Sequence, residues 1–137
     1  MNSYLLDTHV WIWLQERARN LPPAFIKTID EARGRDAVFV SAISVWEIGN
    51  LVAHERLSLN MTIDAWLHAA FTLGNLQLVS LGAEEALLST RLPGGLHRDP
   101  ADRMLVSTAL LQNLTLVSHD KRILEYALRS SLRVLRI

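Results

Sequence analysis

Arg98-Asp99-Pro100-Ala101-Asp102-Arg103, running into the apolar Met104-Leu105-Val106, carries two carboxylates three residues apart at the head of a helical pattern. A helix turns residues at that spacing to one side. Pro100 suits the first helical position, where no N–H needs a partner. Asp99 is then the cap, Asp102 lies in the first turn, and Ser107-Thr108-Ala109-Leu110-Leu111 completes the helix. The chain continues into a short apolar strand, Leu114 to Ser118, with His119 and Asp120 at its end. A helix that begins in acids thus feeds a strand that ends beside another acid.

The same arrangement recurs toward the N-terminus. Tyr4-Leu5-Leu6 reads as a buried strand that Asp7 closes. In an α/β protein, ligands gather at the carboxyl ends of parallel strands. The alternative is that Asp7 only caps the helix beginning near Val10. Thr8 offers a hydroxyl to the Asp7 carboxylate or to a phosphate. Ser44-Val45-Trp46-Glu47 fits a capping box, serine followed by glutamate three residues on, with a helix continuing to about His54. Glu47 is either the glutamate of that box or a fourth acid pointing across the strand ends toward Asp7.

Between these blocks strands and helices alternate. Pro22-Pro23 opens a helix that runs to about Arg33, and Gly34 stops it. Residues 37–40 form a strand, 61 to about 73 a helix, 76–79 a strand and 83–90 a short helix. Residues 122–129 form a last helix and 134–135 an edge strand. Alternation of this kind predicts an α/β chain with a mostly parallel sheet and helices on both faces. Pro93-Gly94-Gly95 is a loop, either a plain turn or a place where a substrate backbone comes close.

The composition narrows the chemistry. The 137 residues read as one domain, 1–137. Half of them are hydrophobic, enough for a sizeable core, and 14 basic residues balance 14 acidic ones. A zero net charge argues against a basic stripe that grips a long duplex. Without cysteine there are no disulfides or thiolate metal sites. No run is long enough for a membrane span, and no signal segment is read, so a cytoplasmic protein is expected. A phosphate loop with Lys and Ser/Thr is missing, as is Gly-x-Gly-x-x-Gly after the first strand. His9, His54, His68, His97 and His119 show no metal-binding spacing; His97 and His119 flank the acids and are read as solvent-facing or supporting groups.

Asp7, Asp102 and Asp120 follow or begin elements at one end of the sheet, with Glu47 as a fourth acid and Asp99 as a possible fifth. Like charges gathered there force at least one to hold a proton unless a cation joins them. Mg²⁺ or Mn²⁺, as one or two ions, relieves that repulsion and suits phosphodiester or phosphomonoester chemistry. Two or three of the acids bind directly and the rest through water. Arg98, Arg103, Lys121 and Arg122 are the candidates for phosphate contact.

Leu5-Leu6-Asp7-Thr8, Ser44-Val45-Trp46-Glu47-Ile48, Arg98 to Val106 and Thr115 to Asp120 together resemble the PIN-domain family, and more narrowly the VapC toxins of bacterial toxin–antitoxin pairs. The resemblance spans nearly the whole chain. It implies a PIN-like three-layer α/β/α sandwich and a Mg²⁺- or Mn²⁺-dependent ribonuclease. It also implies a homodimer and a cognate antitoxin that inserts into the active-site groove. By position, Asp7, Glu47, Asp102 and Asp120 match the four family acids, as metal ligands and catalytic groups. Asp99 matches the extra aspartate of a common subgroup, and Thr8 a small hydroxyl residue beside the first acid. Ser118 stands where threonine is more usual, and the hydroxyl survives.

Three alternatives remain at this level. An aspartyl-nucleophile phosphatase wants a second aspartate where His9 stands. A phosphoacceptor domain wants paired acids after the first strand and an aspartate where Leu81-Gly82 stand. A non-catalytic RNA- or protein-binding module of the same fold leaves the cluster of acids unexplained. The four rings of Trp11, Trp13, Trp46 and Trp66 are many for a small core, and some, on the early helices, are expected to meet a partner. Labelled RNA and a phosphomonoester, each offered with and without Mg²⁺, separate the enzyme classes. Ion-dependent loss of intact RNA is expected, and turnover of the monoester alone favours the phosphatase.

Overall fold

The computed structural model describes residues 1–18 and 20–137. The strands are β1 (Tyr4–Leu6), β2 (Val38–Ser41), β3 (Gln77–Val79), β4 (Thr115–Ser118) and β5 (Val134–Arg136). The helices are α1 (Thr8–Gln15), α2 (Pro23–Arg33), α3 (Ala42–Ala53), α4 (Ile63–Phe71), α5 (Ala83–Ser89), α6 (Pro100–Gln112) and α7 (Lys121–Ala127). The strands form one sheet in the order β3-β2-β1-β4-β5, and every neighbouring pair is parallel. The expected mostly parallel sheet is therefore wholly parallel among the described residues.

Successive residues of a strand face opposite sides of its sheet. Leu6 and Val117 enter one core with Val10, Trp11, Phe25, Ile48 and Trp66, drawn from α1 to α4. Leu5 and Leu116 enter a second core with Leu105, Val106, Ile123 and Tyr126, drawn from α6 and α7. Burial on both faces is why these strands read as short unbroken apolar runs. The result is the three-layer α/β/α sandwich.

The strand order places the site. From β1 the chain proceeds outward to β2 and β3, then returns to the other side of β1 with β4 and β5. The reversal leaves a crevice at the carboxyl ends of β1 and β4, where open parallel sheets bind ligands. Asp7 and Asp120 stand there. The pairing of Leu6 with Val117, closed by the Asp7 N–H to the Val117 carbonyl at 2.9 Å, sets Asp7 beside Ser118.

The structure decides two alternatives that the sequence leaves open. Helix α3 begins at Ala42, and its cap is Ser41, whose hydroxyl accepts the Ile43 N–H. Ser44 lies inside the helix and fully buried, so Ser44 and Glu47 form no capping box. The Pro93-Gly94-Gly95 loop is a turn tied to the protein itself. Gly94 and Gly95 take φ values of 85° and 72°, which glycine adopts without strain, and both carbonyls accept from Arg129.

The aromatic rings divide. Trp11 and Trp66 are core residues with ring centroids 5.3 Å apart. Trp13 is half-buried between His9 and His119, and Trp46 on α3 is 61% exposed. No helix among the described residues is long and apolar enough to cross a membrane.

Leu116 is fully buried on β4, the strand that carries Ser118 into the crevice. Leu116→Ala is expected to lower unfolding stability by about 2–5 kcal/mol. Urea denaturation followed by circular dichroism measures the loss.

Candidate functional site

Asp7 occupies the cap position of α1, yet its carboxylate caps nothing. It accepts instead from the Ser118 hydroxyl at 2.7 Å. Ser118 in turn accepts the Asp120 N–H at 3.0 Å, so one buried serine joins the first and last acids. Thr8 donates to Glu47 Oε1 at 2.5 Å. Its single proton is thereby spent, and the 2.7 Å contact with Ser44 must be donated by Ser44. Thr8 therefore holds Glu47 rather than Asp7, and Glu47 is aimed across the strand ends.

Asp99 caps α6 as its position predicts, accepting from the N–H groups of Ala101 (3.0 Å) and Asp102 (3.5 Å). Asp102, only 8% exposed, lies 2.7 Å from Nε2 of His97. Asp120 caps α7 through the Arg122 N–H at 2.8 Å and pairs with the Arg122 guanidinium at 3.1 Å. That guanidinium also reaches within 3.8 Å of Asp102.

These side chains share a cleft of about 400 Å³ walled by Asp7, Glu47, Asp99, Asp102, Asp120 and Arg122, with His9, Val10, Trp13 and His119 completing it. A larger groove of about 560 Å³ between α1, α2 and α4 has one acid on its wall, Asp30, which Arg33 pairs. The structure thus brings together all four expected acids, along with Asp99, and the hydroxyls of Thr8 and Ser118 support them. Three expected phosphate contacts are not brought there, among them Lys121, which is exposed and lies 3.9 Å from Glu125 on its own helix. Arg98 is exposed and does not wall the cleft. Arg103 spends its guanidinium on the carbonyls of Ser89 (2.6 Å), Leu96 (2.7 Å) and His97 (3.2 Å). Among the described residues, Arg122 is the arginine that stands at the acids.

Three histidines have more to do with the cleft than their spacing suggested. His9 and His119 wall it on either side of Trp13. His119 is oriented by a 2.7 Å contact between its Nδ1 and the Ile137 carbonyl. A nitrogen of His97 and one oxygen each of Asp102 and Asp120 lie within 4.8 Å of one another, close enough to share a divalent cation. The one signal for His97 was its place five residues before Asp102.

The electrostatics fit a hard cation. Burial pushes Asp7 above the ordinary carboxylate range, against the pull of the Ser118 hydrogen bond. Burial also raises Glu47; Thr8 opposes the rise, while the charges of Asp102, Asp7 and Asp99 add to it. Asp102 is pushed up to about 6, first by burial and then by Asp7 and Asp99, despite its bond to His97. Asp120 goes the other way: burial would raise it, but the hydrogen bonds and charge of Arg122 prevail and lower it. Buried oxygen donors that repel one another, with no sulfur among them, form a donor set suited to Mg²⁺ or Mn²⁺.

The family model for the PIN domain matches residues 4–128. Ribonuclease VapC22 of Mycobacterium tuberculosis is 31% identical over 123 residues, which cover 90% of this chain and 91% of that protein. Solved structures share the fold. VapBC2 from Rickettsia felis, bound to a DNA fragment from its promoter, superposes with a TM-score of 0.71 at 16% identity, covering 97% of both chains. FitAcB from Neisseria gonorrhoeae gives 0.64 at 24% identity and 96% of both chains. A toxin–antitoxin complex from Klebsiella pneumoniae gives 0.52 at 18% identity, over 86% of this chain and 87% of that one.

Asp102 makes the cation-free fold sensitive to pH. It ionises near 3.8 when unfolded and near 6 when folded, so the unfolded chain releases the proton first. The contribution to stability is full below pH 3.8 and is lost as pH rises through about 6. A difference of that size corresponds to about 3 kcal/mol. Urea unfolding in EDTA from about pH 4 to about pH 7 is expected to show the decline, and Asp102→Asn to reduce it, leaving the part of the same sign that Asp7 and Glu47 contribute.

Proposed function

Because the chain belongs to the PIN-domain family and is homologous to VapC-type ribonuclease toxins of toxin–antitoxin systems, we propose that it is a divalent-cation-dependent endoribonuclease, the toxin of such a pair. The observation that carries this reading is the convergence of Asp7, Glu47, Asp102 and Asp120 on one cleft at the reversal of strand order. RNA as the substrate is supported by the ribonuclease relative. The zero net charge favours single-stranded or looped RNA over a long duplex.

Asp7, Asp102 and Asp120 are the groups to hold one or two Mg²⁺ or Mn²⁺ ions, and Glu47, retained by Thr8, acts directly or through water. When bound, such an ion lowers the pKa of a water and offsets charge growing on a phosphoryl oxygen. Glu47, its carboxyl raised by burial, is suited to accept a proton from the attacking water. Arg122 is exposed at the mouth and is the cation to meet the scissile phosphate. Ser118 and Thr8 keep the acids from swinging apart while the substrate enters.

A second copy and a cognate antitoxin are the partners of this reading. Support comes from the solved toxin–antitoxin complex and from Trp46, a large ring left exposed beside the cleft residue Glu47.

Water-dependent in-line cleavage leaves a 5′-phosphate and a 3′-hydroxyl, and it is expected to stop in EDTA. Asp7→Asn is expected to abolish cation-dependent cleavage while circular dichroism reports an intact fold. Ends mapped as 2′,3′-cyclic phosphates would refute the mechanism and point to His9 and His119 as a base and acid pair.

A further inference from the structure

The segment before α6 is clamped carbonyl by carbonyl. Tyr126 donates its hydroxyl to Pro93 O (2.5 Å), and Arg129 donates to Gly94 O (3.0 Å) and Gly95 O (3.3 Å). Arg103 donates to Leu96 O (2.7 Å) and His97 O (3.2 Å), with a further bond to Ser89 O (2.6 Å). Five consecutive carbonyls, residues 93 to 97, are thus held by side chains of α6 and α7 or the turn that follows it. Leu92 and Leu96 anchor the same segment in the core beside Leu105 and Tyr126. A flexible loop does not show this; the backbone that presents His97 is fixed.

His97 leaves this strap with its side chain only 16% exposed and Nε2 2.7 Å from Asp102 Oδ2. Its Nδ1 is buried and meets no hydrogen-bond partner among the described residues. With Asp102 ionised, a contact of 2.7 Å requires a proton between the two atoms, and a neutral ring has one to give. A proton on Nδ1 would be buried without an acceptor, so Nε2 carries it and donates to Asp102. The nitrogen that stands near Asp102 and Asp120 is therefore occupied by its proton and has no lone pair to offer an ion.

We infer that His97 is a positioning residue, which locks the Asp102 carboxylate by an Nε2–H bond and is itself aimed by the Arg103 clamp on the 93–97 strap. The inference rests on the cation-dependent reading of the cleft. Groups that orient metal ligands in this way commonly set affinity by 10–100-fold, since a ligand free to rotate must be ordered when the ion binds. Helix α6 then supplies both the acid, Asp102, and the arginine next to it that fixes the acid's orienter.

Mn²⁺ binding to the full chain tests this without cleavage, by calorimetry and by electron paramagnetic resonance. His97→Ala is expected to bind Mn²⁺ about 10–100-fold more weakly than wild type. His97→Gln, which returns an N–H to that place, is expected to recover most of the loss. Arg103→Lys leaves every acid in place but replaces a fork across three carbonyls with a point donor, and it too is expected to weaken binding. The Mn²⁺ spectrum is expected to show no nitrogen coupling. Wild-type affinity in His97→Ala, or nitrogen coupling that puts the imidazole on the ion, overturns the inference alone if Asp102→Asn still abolishes binding. A wild-type chain that takes up no Mn²⁺ overturns the inference together with the reading beneath it.

Discussion

Parallel pairing of β1 with β4 determines where every acid of the cleft can stand. The register sets Leu6 against Val117, and the next residue of each strand is then Asp7 beside Ser118. From that contact the Ser118 hydroxyl reaches Asp7, and its oxygen receives the amide of Asp120. A slip of one residue would turn the apolar side chains of β1 and β4 to the wrong cores and separate these groups. The hydrophobic demand on both faces of the sheet thus enforces the polar geometry at its end.

What the sheet brings together, electrostatics pushes apart. Asp7, Glu47 and Asp102 are each raised by burial, and each also feels neighbouring acids. The fold answers with one donor apiece: Ser118 for Asp7, Thr8 for Glu47, His97 for Asp102 and Arg122 for Asp120. The hydroxyls of Ser118 and Thr8 aim Asp7 and Glu47 without cancelling their charge, whereas the Arg122 guanidinium offsets that of Asp120. Asp120 alone is lowered, because its partner carries a full charge and its oxygen also caps a helix.

Much of this was legible in the residues. The cap at Asp99, the helical proline at 100 and the apolar runs of the strands act within a few residues, and all three stand where their local chemistry puts them. The capping box at Ser44 failed for a related reason: Ser41 is an equally good cap three residues earlier, and helix α3 took it. Local pattern could not choose between the two serines. The choice frees Glu47 for the cleft and buries Ser44 against Thr8.

Arg103 and His97 show where local reading ends. An arginine beside two aspartates looks like a phosphate contact, yet the folded chain offers it three carbonyls from a strap before α6 and from α5. A histidine five residues before an acid looks unremarkable until that strap turns it back onto Asp102. The sequence by itself determined the alternation of elements, the cap at Asp99 and the placing of Asp7, Asp102 and Asp120 at element ends, because hydrophobic periodicity and capping are settled between near neighbours. Only the tertiary structure decided which donor serves which acid and which cation reaches the cleft. Those contacts join side chains as many as 111 positions apart, and they exist only once the order and register of the strands have been chosen.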